Sequence, residues 1–391
     1  MISLKKTLLM TTSRFPYPLE KGDKLRAYHQ IKELSKTYDI VLCSLTRTTI
    51  KQEWEDELKK YCKSIHIFKL NYALVLFNTF KMLFTNKPFQ IGYFHQKPIQ
   101  KKINAIITNL KPDLIYCQLI RTAEYVKNIH SIPKTLDYMD ALSSGLLRRA
   151  ENAKLISKFI LKTEGNRVKI YENKIFDYFN NHTIISKQDK KLIQHPNQKD
   201  ITIIPNGIDD YFYNYSNPNL TKEYDLVFVG NLSYPPNIES CTYIITKILP
   251  AFKAKGIELN VLLSGANPSQ KIQKFNNLNN VSVSGWVDDI RESYLKGKIF
   301  VAPLFIGIGL QNKLLEAMAL NIPCITTSLA NNALGGKSNS ELIIADTLIE
   351  FENAITLLLN DSSKSLALTE KAQQFVKDNF NWEASVNQIP F

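Results

Sequence analysis

The sequence predicts an α/β protein built as two doubly wound, Rossmann-like domains facing a central cleft. Three observations predict it. The chain has 391 residues, too many for one ordinary core. Short strand-like runs alternate with helix-like segments in two successive series. The runs are continuously apolar, as a parallel sheet covered by helices on both faces requires.

The first series places strands at 7–11, 39–45, 64–69, 113–117, 135–139 and 182–186, with helices such as 24–36 and 150–180 between them. The second places strands at 225–229, 258–264, 281–284, 298–303, 323–327 and 341–344. The break falls near Pro205-Asn206-Gly207, followed by a polar stretch over 214–223. Domains are therefore expected over 1–200 and 201–375. Ligands on open parallel sheets bind outside the carboxyl ends of the strands, so the loops after the strands should carry the chemistry.

Composition narrows the class. No apolar run reaches the ~20 residues of a membrane-spanning helix. The apolar stretch after Lys5 and Lys6 is too short for a signal peptide. A cytoplasmic protein is expected, with the inner face of the cytoplasmic membrane as a peripheral alternative. Cys43, Cys62, Cys117, Cys241 and Cys324 are scattered without CxxC spacing, and most read as reduced core residues. A net charge of +13 points to an anionic partner. From Leu58 to Pro112 there is no acidic residue, while lysines recur, among them Lys81, Lys87, Lys97, Lys101 and Lys102. Phe84, Phe89 and Phe94 are interleaved with them. An anionic membrane surface and an ordinary basic helical face fit this stretch equally well. No nucleic-acid motif accompanies it, so no nucleic-acid partner is expected.

One segment carries most of the functional argument. From Val301 to Cys324 a buried strand gives way to a loop with Gly307 and Gly309, then to a helix over 311–320, then to the next strand. Glycines permit close backbone approach, and a helix N-terminus offers unpaired amides and partial positive charge. Such a site suits a diphosphate. Lys313 in the first turn opposes the helix dipole unless an anion needs it, and Glu316 lies one turn on, on the same face. Its carboxylate suits the two hydroxyls of a ribose. A nicotinamide fingerprint fits poorly, because Asn312 stands where its third glycine belongs and the motif falls late in the chain. The P-loop pattern is absent. The bland alternative is a glycine-kinked loop with an exposed lysine and a solvated glutamate.

The stretch Lys313-Leu-Leu-Glu-Ala-Met-Ala-Leu-Asn-Ile-Pro323 resembles the helix of the group 1 glycosyltransferases, which have the GT-B fold. Ile204-Pro-Asn-Gly-Ile-Asp209, Phe228-Val-Gly-Asn-Leu-Ser-Tyr-Pro-Pro-Asn237 and Ser284-Gly-Trp-Val-Asp-Asp-Ile-Arg291 resemble further segments of that family in the right order. Arg14 to Arg26 resembles the first loop of a subgroup linked to bacterial exopolysaccharide synthesis. Trp382-Glu383 resembles the last helix, which packs back on the N-terminal domain over about 376–391.

The resemblance implies a nucleotide-sugar donor in the second domain and a glycan or lipid-linked acceptor in the first. It implies donor-binding roles for Gly230, Asn231, Gly265, Trp286, Val287, Gly307, Gly309, Leu310, Gln311, Asn312, Lys313, Leu314 and Glu316. Lys313, Gly22 and Asp140 are the candidate catalytic residues, with helix capping as the bland role for Asp140. Lys21, Lys24 and Arg26 are candidates for an anionic acceptor. Transfer with retention of anomeric configuration is implied, with no cofactor beyond the nucleotide sugar. No D-x-D occurs, the histidines lack ligand spacing, and no metal is expected. Two positions depart from the family. Ile308 stands in place of a frequent Glu, and Asn231 with Pro235-Pro236 in place of an Arg and a Lys. A scaffold without turnover and a nucleotide-sugar epimerase are the other readings.

Overall fold

The computed structural model describes residues 5–151, 153–215, 217, 220–306 and 309–391. They fall into two units, Met1–Pro205 with Trp382–Phe391, and Asn206–Asn381. The first unit is a parallel sheet of seven strands, β1 (Thr7–Thr12), β2 (Asp39–Thr46), β3 (Cys62–Lys69), β4 (Leu114–Gln118), β5 (Lys134–Asp137), β6 (Asn181–Ile184) and β7 (Thr202–Ile203), in the order β3-β2-β1-β4-β5-β6-β7. Side chains alternate across β1 because successive Cβ atoms point to opposite faces. Leu8 and Met10 enter one hydrophobic cluster, and Leu9 enters the other. Both faces are covered, which is why the strands read as unbroken apolar runs.

The second unit has six parallel strands, β8 (Tyr224–Val229), β9 (Val261–Ser264), β10 (Val281–Val283), β11 (Gly297–Ala302), β12 (Cys324–Thr326) and β13 (Ile343–Ile344), in the order β10-β9-β8-β11-β12-β13. Each sheet grows first to one side of its opening strand and then to the other. The switch points lie between β1 and β4 and between β8 and β11. The five cysteines are buried free thiols. Among the described residues no helix is long and apolar enough to cross a membrane.

Several local expectations change. The two-residue β7 has too short an apolar signature to stand out. The helix expected over 150–180 is Leu155–Phe176, preceded by a separate helix Leu142–Glu151, because Lys154 is extended at ψ 155°. Residues 376–381 stay with the second unit, where Val376 and Phe380 are core residues. The segment that joins the first unit starts at Trp382, which stacks on His29 at a ring-centroid distance of 4.7 Å. Arg26 does not face an acceptor. It is wholly buried and forms a bidentate pair with Asp137, at 2.7 Å and 3.1 Å. Phe94 is a core residue, and Phe89 is half-buried under the Arg167 guanidinium. Of the three interleaved aromatics only Phe84 is fully exposed, at 77%.

Candidate functional site

The second unit builds its site at the β8/β11 switch point, where ligands of open α/β sheets bind. Two loops meet there, one after Val229 and one after Ala302. Gly230 follows β8 and sits beside Gly265, which follows β9. A Cβ on Gly265 would stand 1.9 Å from the Gly230 carbonyl oxygen, so only glycine lets the loops close. Asn231 shapes its own turn, its side-chain oxygen accepting from the Ser233 amide at 3.0 Å and hydroxyl at 2.7 Å. A Cβ on Gly230 would come within 3.3 Å of Lys313 Nζ. The bare backbone of the first loop therefore sits directly under the lysine.

Lys313 belongs to the helix Asn312–Ala319, whose N-cap Gln311 provides no side-chain cap. Among the described residues its first two amides, of Asn312 and Lys313, are left for another acceptor. Lys313 Nζ donates to Asn237 Oδ1 and lies 4.9 Å from the centre of the Phe228 ring. Burial lowers its pKa to about 8, against smaller opposing effects of Cys241 and Glu316. Glu316, one turn on, accepts from the buried Tyr294 hydroxyl at 2.6 Å. Its carboxyl is raised by burial, with the Tyr294 hydrogen bond and Lys313 opposing. Tyr294 occupies one carboxylate oxygen, so one oxygen rather than two is left for a ligand.

The other candidates divide by position. Gly309 has φ 87°, a left-handed value that favours glycine. Asn312 Oδ1 accepts from Asn206 Nδ2 at 3.1 Å, and Gln311 Nε2 donates to the Gly309 carbonyl at 3.1 Å. Leu310 packs on the core from the loop. Leu314 is a core side chain, and its amide bonds back to Gln311. Gly307 and Ile308 lie outside the described residues. Trp286 is not a core residue. It is 64% exposed, and with half-buried Val287 it lines a groove of roughly 540 Å³. Arg291 fixes that segment by pairing with Asp289 at 2.6 Å and lying 3.9 Å from the Tyr211 ring centre. Sequence reasoning assigned no role to Asn237, Phe228 or Tyr294. Asn237 alone left a signal, a polar residue just inside a helix that opens with two prolines.

The first unit brings together its own two candidates. Gly22 opens the helix Gly22–Leu34, and a Cβ there would meet the Met139 methyl at 3.4 Å. Asp140 is the next residue after Met139, which has a left-handed φ of 64°. Strained backbone of this kind gathers at functional sites. Burial, then the nearby Asp189 carboxylate, push the Asp140 carboxyl up to about 7.

Comparison with known proteins agrees with this fold. Residues 223–361 match the model of the group 1 glycosyl transferases. The chain is 22% identical over 396 residues to an uncharacterized 44.6 kDa protein of the cps region of Klebsiella pneumoniae, covering 96% of each. Among solved structures it is similar to sucrose-phosphate synthase from Thermosynechococcus elongatus, with a TM-score of 0.70 at 16% identity over 98% of this chain and 97% of that one. It is also similar to Anabaena HepE in complex with UDP, with a TM-score of 0.66 at 14% identity over 98% of each chain.

Proposed function

We propose that this chain, a glycosyltransferase with the GT-B fold and a group 1 domain over residues 223–361, transfers a sugar from a nucleotide-sugar donor to a glycan or lipid-linked acceptor in cell-envelope or extracellular polysaccharide assembly. The observation that carries the reading is Lys313, a desolvated cation at an uncapped helix N-terminus over the bare backbone of Gly230. The UDP held by HepE and the cps-region setting of the Klebsiella protein support it.

In this mechanism Lys313 and the first amides of its helix take up the charge that develops on the departing diphosphate. Glu316 receives a ribose hydroxyl, and the exposed face of Trp286 covers the base. Asp140, whose pKa lies near 7, orients the acceptor and accepts its hydroxyl proton. Retention and metal independence are part of the proposal. Nucleoside diphosphate should be released from at least one member of a nucleotide-sugar panel with EDTA present. Loss of activity to EDTA that magnesium restores would refute metal independence, and binding without release across the panel would mark a scaffold.

Glu316→Gln should weaken the calorimetric dissociation constant for UDP by about fivefold, since a charged acceptor exceeds a neutral one by roughly 1 kcal/mol. The fold should hold, because glutamine keeps a partner for Tyr294. An unchanged constant would remove the ribose role.

The membrane reading keeps Phe84 and Lys81 of the basic stretch and gains a second segment. Leu76, Phe77, Phe80, Leu83 and Phe84, along and just beyond the helix Tyr72–Lys81, are exposed, as are Leu155, Ile156, Phe159 and Ile160 of the helix Leu155–Phe176. The two segments are tied, since Glu164 accepts from the Phe89 and Gln90 amides and Arg167 donates to the Met82 carbonyl. Lys81, Lys154, Lys158 and Lys162 accompany these apolar side chains and are exposed. Large exposed apolar patches mark interaction sites, and each lysine adds about 1 kcal/mol near an anionic leaflet. The chain should sediment with vesicles containing phosphatidylglycerol, and Phe80→Ser, Phe84→Ser, Leu155→Ser and Phe159→Ser together should abolish this. Equal sedimentation of the variant would rule the surface out.

A further inference from the structure

At the carboxyl ends of β1, β2 and β4 the first unit holds a cavity of roughly 610 Å³. It stands at the β1/β4 switch point, the place where an open parallel sheet takes its ligand. Five cations line it, Arg14, Lys21, Lys24, Arg47 and Arg121, and no carboxylate does. Arg14 follows β1, Arg47 follows β2 and Arg121 follows β4, so the strand order itself converges them. Asp23, behind the lining, is engaged by Arg14 and stands 3.9 Å from Arg121, while Glu20 acts on Lys24 and Asp140 on Arg121. Two guanidiniums thus share one carboxylate. Burial and the neighbouring Arg14 lower the pKa of Arg121, and burial lowers that of Lys24 against the pull of Glu20. Among the described residues Lys21, Lys24 and Arg47 form no ion pair. Two hydroxyl oxygens of the lining, Ser13 Oγ and Thr79 Oγ1, are buried and have no hydrogen-bond partner. Arg47 lies 5.7 Å from the Tyr93 ring centre and Arg121 5.5 Å from that of Phe94. Arg121 also donates to Gln90 at 2.8 Å, which fixes its fork.

We propose that this cavity holds a phosphate or diphosphate group carried by the acceptor, so that the accepting molecule is a phosphorylated sugar rather than a neutral glycan. The inference rests on the transferase reading and deepens it by naming the acceptor's chemistry. A single carboxylate would leave most of this charge unmatched. A diphosphate brings several charges and acceptor oxygens, and guanidinium forks match phosphate geometry bidentately. The unpartnered Ser13 and Thr79 hydroxyls supply neutral donors to the same group. A soluble sugar phosphate and a lipid-linked sugar diphosphate share this chemistry.

The test is calorimetry on the full chain carrying Lys313→Ala, so that phosphate probes do not report on the donor site. Glucose 1-phosphate or hexyl diphosphate should bind, more weakly as salt rises, while octyl glucoside should not. Lys24→Gln with Arg47→Gln should weaken that binding at least about tenfold and leave the melting temperature unchanged, since neither side chain holds an ion pair. Tighter binding of hexyl diphosphate supports a lipid-linked source, and tighter binding of glucose 1-phosphate a soluble one. The proposal is overturned if neither phosphate probe binds, if binding is equal in the Gln variant, or if glucuronate binds as well as glucose 1-phosphate. UDP titrated into the unsubstituted chain reports separately on the transferase reading.

Discussion

Replacing Lys313 with alanine should lower UDP affinity and turnover at least about tenfold, the loss of one charge-assisted contact of roughly 1.5–3 kcal/mol. Thermal stability should not fall. The Lys313 pKa of about 8 lies below the ordinary lysine value, so the native state holds fewer protons than the unfolded chain between about pH 8 and about 10.5. Stability from this group therefore rises with pH across that window and is at its lowest below it. At neutral pH the half-buried, partly desolvated cation opposes folding, and alanine removes the opposition. The same pKa sets the pH dependence of binding. Below pH 8 the lysine is charged and ready for a diphosphate. Above it, binding requires uptake of a proton, and affinity should decline by up to about tenfold per pH unit. Calorimetry from pH 7 to 9.5 checks this. A flat profile in the unsubstituted chain, or full activity in the alanine variant, would remove Lys313 from the donor site.

Asp137→Asn should produce the largest loss of stability. Arg26 and Asp137 are both wholly buried and lie on the helix Gly22–Leu34 and on β5. Asp137 also accepts from Thr183 at 3.0 Å and from Gln30 at 3.3 Å, while Arg26 donates to the Ile204 carbonyl at 2.8 Å. Burial alone would raise the Asp137 carboxyl, but Arg26 and these hydrogen bonds hold it below the usual carboxylate range. Its contribution is therefore present above the unfolded pKa of about 4 and is lost as pH falls through the folded value. Asparagine leaves a guanidinium buried without its counter-charge. Breaking a buried pair from one side costs about 3–5 kcal/mol, or a fall of roughly 6–20 °C in melting temperature for a unit of this size. A melt within about 2 °C of the parent would show that the pair does not hold the first unit together.

The two sheets were legible in the sequence because strands buried on both faces leave continuous apolar runs. The GT-B fold expectation, the group 1 resemblance and the transferase class agree with the comparisons. The two-residue β7 and the break before Leu155 have no comparable pattern. Burial of individual charges was also hidden. Arg26 follows Lys21 and Lys24 in a basic helix start, and nothing in that spacing says that it turns inward to Asp137. Arg47 and Arg121 lie far from Arg14 in the chain, and only the strand order brings the three together. Lys313 and Glu316 were legible from helical spacing, whereas Tyr294, 22 residues earlier, reaches Glu316 only through the fold.

The most direct measurement is a crystal structure of the full chain with an intact nucleotide sugar. The account predicts the diphosphate within hydrogen-bond distance of Lys313 Nζ and the first amides of the helix Asn312–Ala319, with the ribose on the free oxygen of Glu316. A nucleotide seated elsewhere, with Lys313 still donating only to Asn237, would contradict it.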